Sequence, residues 1–166
     1  MTITLRPAAP DDEGFLRAVY GSTRADELAL VPWTDEQKEE FASMQFNAQT
    51  TYYREVFPDM EYAIILLDGV AAGRFMVVRR AGEIRLVDVA LLPAYRGLGI
   101  GKQLLMGLIG EARRTGSPVL LHVEQMNRAR NLYDRLGFVP VEEKGVYTMM
   151  AWRPDEHPEE VPVDGI

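Results

Sequence analysis

The stretch Leu86-Val-Asp-Val-Ala-Leu-Leu-Pro-Ala-Tyr-Arg-Gly-Leu-Gly-Ile-Gly-Lys-Gln-Leu-Leu105 constrains this chain more than any other. An apolar, β-forming run meets Pro93. Glycines follow at 97, 99 and 101, and then the period changes. Ile100, Leu104, Leu105, Leu108, Ile109 and Ala112 fall on one helical face, and Gly116 ends the helix near Thr115. A second apolar run, Val119–Glu124, reads as a strand. A strand–helix–strand unit with such short connections closes with one hand, as a right-handed crossover between two parallel strands.

The remaining elements surround this unit. Ile3–Arg6 reads as a strand, with Asp11 and Asp12 capping a helix through Ser22 that buries Phe15, Leu16, Val19 and Tyr20. Thr34 or Asp35 caps a second helix that continues to about Phe57, where Pro58 stops it. The runs 62–67 and 70–79 form a hairpin about Asp68-Gly69, and Ala81-Gly82 turns the chain into a third strand, 83–92. Residues 128–136 read as a helix stopped by Gly137, and 138–144 with 146–152 as a closing hairpin. The order is β-α-α-β-β-β-α-β-α-β-β. It implies a mixed α/β (α+β) domain over residues 1–152, with a central, mostly antiparallel sheet. Residues 153–166 read as a mobile acidic tail containing prolines.

Composition narrows the chemistry. The 166 residues fit one domain, and a chain of this length buries roughly 70% of its unfolded surface without a disulfide or metal. There is no cysteine, which excludes thiolate metal sites and an enzymic thiol nucleophile. Two histidines, His122 and His157, exclude a three-histidine zinc site. The net charge of -7 argues against a binder of phosphate backbones, so no nucleic-acid partner is expected. No apolar run approaches the ~18–20 residues of a membrane span, and no signal peptide is visible at the N-terminus. A soluble cytoplasmic protein without a membrane partner is the expectation.

The glycine turn suits an anion. Three missing Cβ atoms allow positive φ and close approach of a bulky ligand. The new helix leaves its first N–H groups unpaired at its positive end. Arg96 and Lys102 add cationic donors at the rim. The spacing is neither G-x-G-x-x-G nor a G-K-[ST] phosphate loop, since Gln103 follows Lys102. A purely structural β–α turn is the plain alternative.

Arg96-Gly-Leu-Gly-Ile-Gly101, after a strand ending at Pro93, resembles the R/Q-x-x-G-x-G/A signature of the GCN5-related N-acetyltransferase (GNAT) superfamily. Asn127-Arg-Ala-Arg-Asn-Leu-Tyr-Asp-Arg-Leu-Gly-Phe138 resembles a second segment of that family. The resemblance covers all but the tail. It implies a sheet of about seven strands flanked by four helices, with the fourth strand splayed from the fifth. It also implies acetyl-CoA as co-substrate, with no metal. Leu91 and Leu92 would pair with the pantetheine arm, and the backbone of Arg96, Gly97, Leu98, Gly99, Ile100, Gly101 and Lys102 would hold the pyrophosphate. Asn127 or Asn131 would contact the arm. The reaction implied is direct transfer of acetyl to a primary amine in a ternary complex. The alternatives are a non-catalytic acyl-CoA sensor of the same fold and a nucleotide-dependent enzyme using the glycine turn.

By its place in the second motif, Tyr133 matches the family's general acid. A phenol near 10 is a weaker acid than a thiol near 8.5, so it serves mainly to hydrogen-bond the developing sulfur charge. Asp88, in an otherwise apolar strand, and His122 are the candidate bases, with Glu124 a further one on the face of His122. Asp88 read plainly is an arginine partner, and His122 a core histidine. The acceptor, a small-molecule or peptide amine, would meet the first two helices and their loop, where Trp33 is the leading wall residue. Glu27, Asp26, Asp35 and Glu61 could attract a cationic amine, although read plainly they are a solvated acidic face, and Tyr147 of the last hairpin could reach the slot. A homodimer is compatible with this reading.

Overall fold

A computed structural model describes residues 1–158. The strands are β1 (Ile3–Pro7), β2 (Glu61–Leu67), β3 (Val70–Arg80), β4 (Glu83–Leu91), β5 (Val119–Glu124), β6 (Val139–Lys144) and β7 (Tyr147–Trp152). The helices are α1 (Glu13–Ala29), α2 (Asp35–Val56), α3 (Ile100–Thr115) and α4 (Ala129–Leu136). The strands form a seven-stranded sheet in the order β1-β2-β3-β4-β5-β7-β6. The β4–β5 pair is parallel, as the crossover requires, while β1–β2, β2–β3, β5–β7 and β6–β7 are antiparallel. The chain divides into two compact units, Met1–Val78 with Asp88–Ile100, and Arg79–Val87 with the chain from Gly101 onward.

In the first unit, α1 and α2 pack around Leu16, Tyr20, Phe46 and Ile64, with Phe15, Tyr62 and Leu66 closing the cluster. The Asp68-Gly69 turn has φ of 50° and 83°, the geometry that favours this dipeptide in a two-residue hairpin. α1 runs seven residues beyond the expected stop at Ser22. The hydroxyls of Ser22 and Thr23 bond back to Val19 O and Tyr20 O, and an Arg24–Glu27 pair supports the added turns. α2 begins with a full capping box, Thr34 Oγ1 accepting from Gln37 N and Gln37 Oε1 from Thr34 N. Asp12 does not cap α1 through its side chain. Its carboxylate turns back to accept from Nη1 and Nη2 of Arg6 and from Ala9 N, which together hold it down at about 2.

β3 carries a bulge. Ile65 pairs with Gly73 and Leu66 with Ala71, so Ala72 is the extra residue. A Cβ on Gly73 would collide with Ala90 O and lie 3.0 Å from Leu91 Cα, so glycine is what lets β3 and the end of β4 approach. Ala72 O accepts Leu92 N at 2.9 Å there.

In the second unit, β4 and β5 pair only through Ile84–Val119, Arg85–Leu120 and Leu86–Leu121, although β5 continues to Glu124. Leu105, Leu108, Ile109 and Ala112 of α3 are buried, as the helical period predicts, together with Leu121, Tyr133, Phe138 and Trp152. α4 ends at Gly137, whose φ of 100° is the left-handed cap expected of that residue.

The segment after Trp152 is structured at its start. Pro154–Glu156 forms a 3-10 turn, and the His157 ring stacks on Trp152 with centroids 4.7 Å apart and planes 7° from parallel. His157 Nε2 lies 3.2 Å from Gly137 O, and Arg113 Nη1 donates to His157 O at 2.8 Å. The rest of the expected tail, residues 159–166, lies outside the described residues. Among the described residues, no helix is long and apolar enough to cross a membrane.

Candidate active site

The glycine turn contains two kinds of glycine. Gly97 (φ 77°) and Gly99 (φ 84°) occupy the left-handed region, where a side chain is strained. Gly101 is different. It is the second residue of α3, has no left-handed φ, and a Cβ there would meet nothing within 4 Å. The fold does not require glycine at 101, and the helix would prefer alanine by about 0.5–1 kcal/mol. What the missing methyl provides is access to the α3 N-terminus, where the first-turn N–H groups have no intrahelical acceptors. Lys102 is exposed beside it. These features fit a bulky anionic group such as the pyrophosphate of coenzyme A.

Arg96 lies in this turn, but its guanidinium braces protein. Nε donates to Leu91 O at 3.0 Å, and Nη2 reaches Ser22 Oγ and Ser22 O at 3.3 and 3.4 Å. The side chain thus ties the turn to the end of β4 and to α1. Leu91 ends β4 and Leu92 follows it, and Leu92 N donates to Ala72 O of the β3 bulge.

In the second unit, Asn127 Oδ1 accepts Ala129 N at 2.9 Å and so shapes the entry to α4. Asn131 is exposed on α4. Tyr133 is 6% exposed, with its ring 5.8 Å from that of Phe138, and Phe138 N returns to Tyr133 O. His122 stands exposed on β5 opposite Met149. Partial burial, and then the charges of Arg85 and Lys144, lower its pKa against the opposing pull of Glu142, which favours a neutral ring.

Asp88 proves to be an arginine partner. Alternation along β4 places it in the row of Ile84, Leu86 and Ala90, the side that is buried. There Arg74 Nη2 of β3 lies 2.5 Å from Asp88 Oδ2. Arg74 is only 3% exposed and also donates to Tyr62 Oη at 3.3 Å and Gln49 Oε1 at 3.0 Å. Burial alone would lower Arg74, but Asp88 and Tyr62 outweigh it and raise it. Sequence reasoning did not single out Arg74. The available signal was one arginine inside Val70–Val78 facing one aspartate inside Leu86–Leu92, two lone opposite charges in neighbouring apolar runs.

Of the expected acceptor residues, Trp33 is 42% exposed and meets Phe41 edge-on at 5.2 Å. Glu27 is engaged with Arg24, and Tyr147 is 44% exposed on β7. α1 and α2 enclose an open groove of about 540 Å³ lined by small residues, Gly14, Ala18, Gly21 and Ala25 among them. No group of three potential metal ligands occurs among the described residues.

Residues 24–138 match the model of the acetyltransferase (GNAT) family, and the chain belongs to that family. A ribosomal protein bS18-alanine N-acetyltransferase from Haemophilus influenzae is 43% identical over 61 residues, which span 36% of this chain and 42% of that one. The chain thus matches less than half the length of this curated relative. Among solved structures, the PaiA N-acetyltransferase of Thermoplasma acidophilum in complex with coenzyme A superposes with a TM-score of 0.69 at 19% identity, covering 92% of this chain and 99% of that one. The ribosomal-protein-S18-alanine N-acetyltransferase of Escherichia coli gives a TM-score of 0.57 at 24% identity, covering 92% and 94%. At these identities the solved structures establish the fold, a seven-stranded, mostly antiparallel sheet with four helices.

Proposed function

We propose that the chain is an acetyl-CoA-dependent N-acetyltransferase that passes the acetyl group directly to a primary amine. The observation that carries this reading is Gly101, in the first turn of α3, where a Cβ would meet nothing within 4 Å and the backbone does not call for glycine. Family membership supports it. When bound, acetyl-CoA supplies an activated thioester: an N–C bond forms, the C–S bond breaks, and CoA leaves as the thiol.

The protein's own residues have separable tasks. The N–H groups from Gly97 to Lys102 hold the pyrophosphate, with Lys102 the nearby cation. Arg96 acts as a brace, keeping the turn seated on Leu91 O and Ser22. Asn127 offers its side-chain NH₂ to a pantetheine carbonyl while its oxygen accepts Ala129 N. Asn131 is the second donor. The Tyr133 hydroxyl hydrogen-bonds the sulfur as its charge develops. Of the candidate bases Asp88, His122 and Glu124, His122 is the one whose surroundings favour the neutral, proton-accepting form, whereas the Asp88 charge is balanced by Arg74. With no cysteine in the chain, acetyl cannot pause on a protein thiol.

The test combines ligand identification with turnover. Native mass spectrometry should find CoA or acetyl-CoA on the purified protein, and free-thiol release should depend on an added amine. Tyr133→Phe should retain CoA binding and lower kcat. CoA binding without thiol release from any amine would instead indicate a sensor. Retention of NAD or ATP would overturn the CoA reading.

A further inference from the structure

α4 has only eight residues, and Tyr133 alone among them is buried. A free helix of that length does not persist in water, where about 12–15 residues are needed even for favourable sequences, so its place is set by what holds its ends. Gly137, with φ of 100°, already stops it: Gly137 N donates to Asp134 O at 3.1 Å and Phe138 N to Tyr133 O at 3.0 Å. Two more carbonyls at this end are met from outside the helix. Trp152 Nε1 donates to Leu136 O at 3.1 Å, and His157 Nε2 lies 3.2 Å from Gly137 O. A carbonyl only accepts, so Nε2 carries the hydrogen. The imidazole is itself fixed. It lies flat on the Trp152 ring, a 3-10 turn brings His157 N back to Pro154 O, and Arg113 of α3 donates to His157 O. A Cβ at residue 137 would lie 2.5 Å from His157 Cε1, so the ring occupies the room that the cap glycine leaves. All of these residues belong to the second compact unit.

We propose that His157, seated on Trp152, is a positioning residue for acetyl transfer: it clasps the end of α4 and so holds Tyr133 in place for its work on the thioester sulfur. The proposal rests on the transferase reading above and adds a residue to it. The fold itself gains little from the clasp. Leu136 and Gly137 are half-buried, and water satisfies helix-end carbonyls where no side chain does. The cap glycine ends the helix without help. What the clasp adds is fixity. Tyr133 stands about one turn before Gly137, so a shift of this helix end carries the phenol with it. A misplacement of about 1 Å costs a reacting group about a hundredfold in rate. The other end of α4 is tied down as well, by Asn127 Oδ1 at Ala129 N and by Arg130 Nη1 at Thr148 Oγ1. His157 therefore serves the reaction through Tyr133 and need not touch either substrate. Residues beyond Trp152, which read as tail, become part of the working enzyme.

The experiment uses the full chain, acetyl-CoA and a panel of free-N-terminus peptides, lysine peptides and polyamines, taking whichever amine gives the fastest thiol release. Three variants separate the ring from its hydrogen bond. His157→Ala removes both, His157→Phe keeps a ring to stack on Trp152, and His157→Gln keeps an N–H donor for Gly137 O. kcat should fall at least tenfold in His157→Ala and at least fivefold in His157→Phe, and His157→Gln should return it to within threefold of wild type. The acetyl-CoA Kd, read by calorimetry, should move less than twofold in all three. In a Tyr133→Phe background, His157→Ala should lower kcat less than twofold further, because the clasp acts through the missing hydroxyl, whereas loosened packing would slow both backgrounds alike. In the apo protein, amide exchange at Gly137 and Phe138 should quicken at least tenfold in His157→Ala while β5 stays protected. An equal loss in the two backgrounds or unmoved exchange would overturn the proposal. If His157→Ala does not fold by circular dichroism, the Gln and Phe variants decide, and equal kcat in those two would overturn it. No thiol release by the wild-type protein with any amine overturns the transferase reading itself, whereas wild-type turnover matched by His157→Ala overturns the clasp alone.

Discussion

Replacing Gly101 with alanine separates what the fold requires from what a ligand requires. The position is helical and a methyl there touches nothing within 4 Å, so the apo protein should gain the ordinary helix preference, about 0.5–1 kcal/mol. For a chain of this size each kcal/mol moves Tm by about 2–4 °C, so the melting point should rise by about 1–4 °C. The same methyl would stand over the first turn of α3 and keep a pyrophosphate from one charge-assisted N–H contact, a loss of about 1.5–3 kcal/mol. That corresponds to a CoA Kd weakened by about 10- to 100-fold. Scanning fluorimetry on the apo protein and calorimetry with CoA read the two effects independently. Gly97→Ala and Gly99→Ala are the controls. Their φ of 77° and 84° should cost about 1–2 kcal/mol each and lower Tm. An apo Gly101→Ala protein that melts lower than wild type, or binds CoA equally well, would refute the assignment of this glycine to a ligand.

Gly73→Ala should be among the more damaging single-methyl changes in the first unit. The new Cβ collides with Ala90 O, and relieving that contact disturbs the Leu92 N–Ala72 O bond. A cost of about 1–3 kcal/mol, read as a Tm loss of about 2–12 °C, is expected. Asp12 titrates at about 2 in the folded protein against about 3.9 unfolded, so its contribution is complete above pH ~4 and lost as pH falls through ~2. Arg6→Leu should return the Asp12 midpoint toward the usual carboxylate range in a carbon-detected NMR titration. His122 should titrate below 6.5. The unfolded chain therefore takes up that proton first, and stability falls as the medium is acidified below that value. Arg85→Gln should raise the His122 midpoint, and a midpoint that did not move would contradict the electrostatic account.

Where local chemistry decides geometry, the sequence was readable. Asp68-Gly69, Gly82, Gly116 and Gly137 all adopt the positive φ that their turns or caps imply. The Leu86–Leu105 pattern led correctly to the parallel crossover and to the buried face of α3. Errors arose where side chains answer to distant partners. One error was local instead: α1 was expected to end at Ser22, but the hydroxyls of Ser22 and Thr23 bond back to carbonyls three residues earlier in the same helix. Arg96 reads locally as a phosphate donor, yet its partners are Leu91 O and Ser22, the latter on another element. The Arg74–Asp88 pair depends on which strands become neighbours, information that no window of consecutive residues contains. His157, within what reads as tail, is held by Trp152, Gly137 and Arg113, contacts that composition cannot reveal.

The placement of Trp152 under the His157 ring has a spectroscopic consequence. The chain has two tryptophans, and they belong to different units: Trp33, 42% exposed, precedes α2, and Trp152, 1% exposed, ends β7. Each therefore emits from its own compartment, the first from a wet setting and the second from a dry one in contact with an imidazole. With Trp33 changed to Phe, emission becomes a clean optical record of the second unit. With Trp152 changed, it records the first. The molecule thus carries its own pair of dyes for asking whether the two units melt as one.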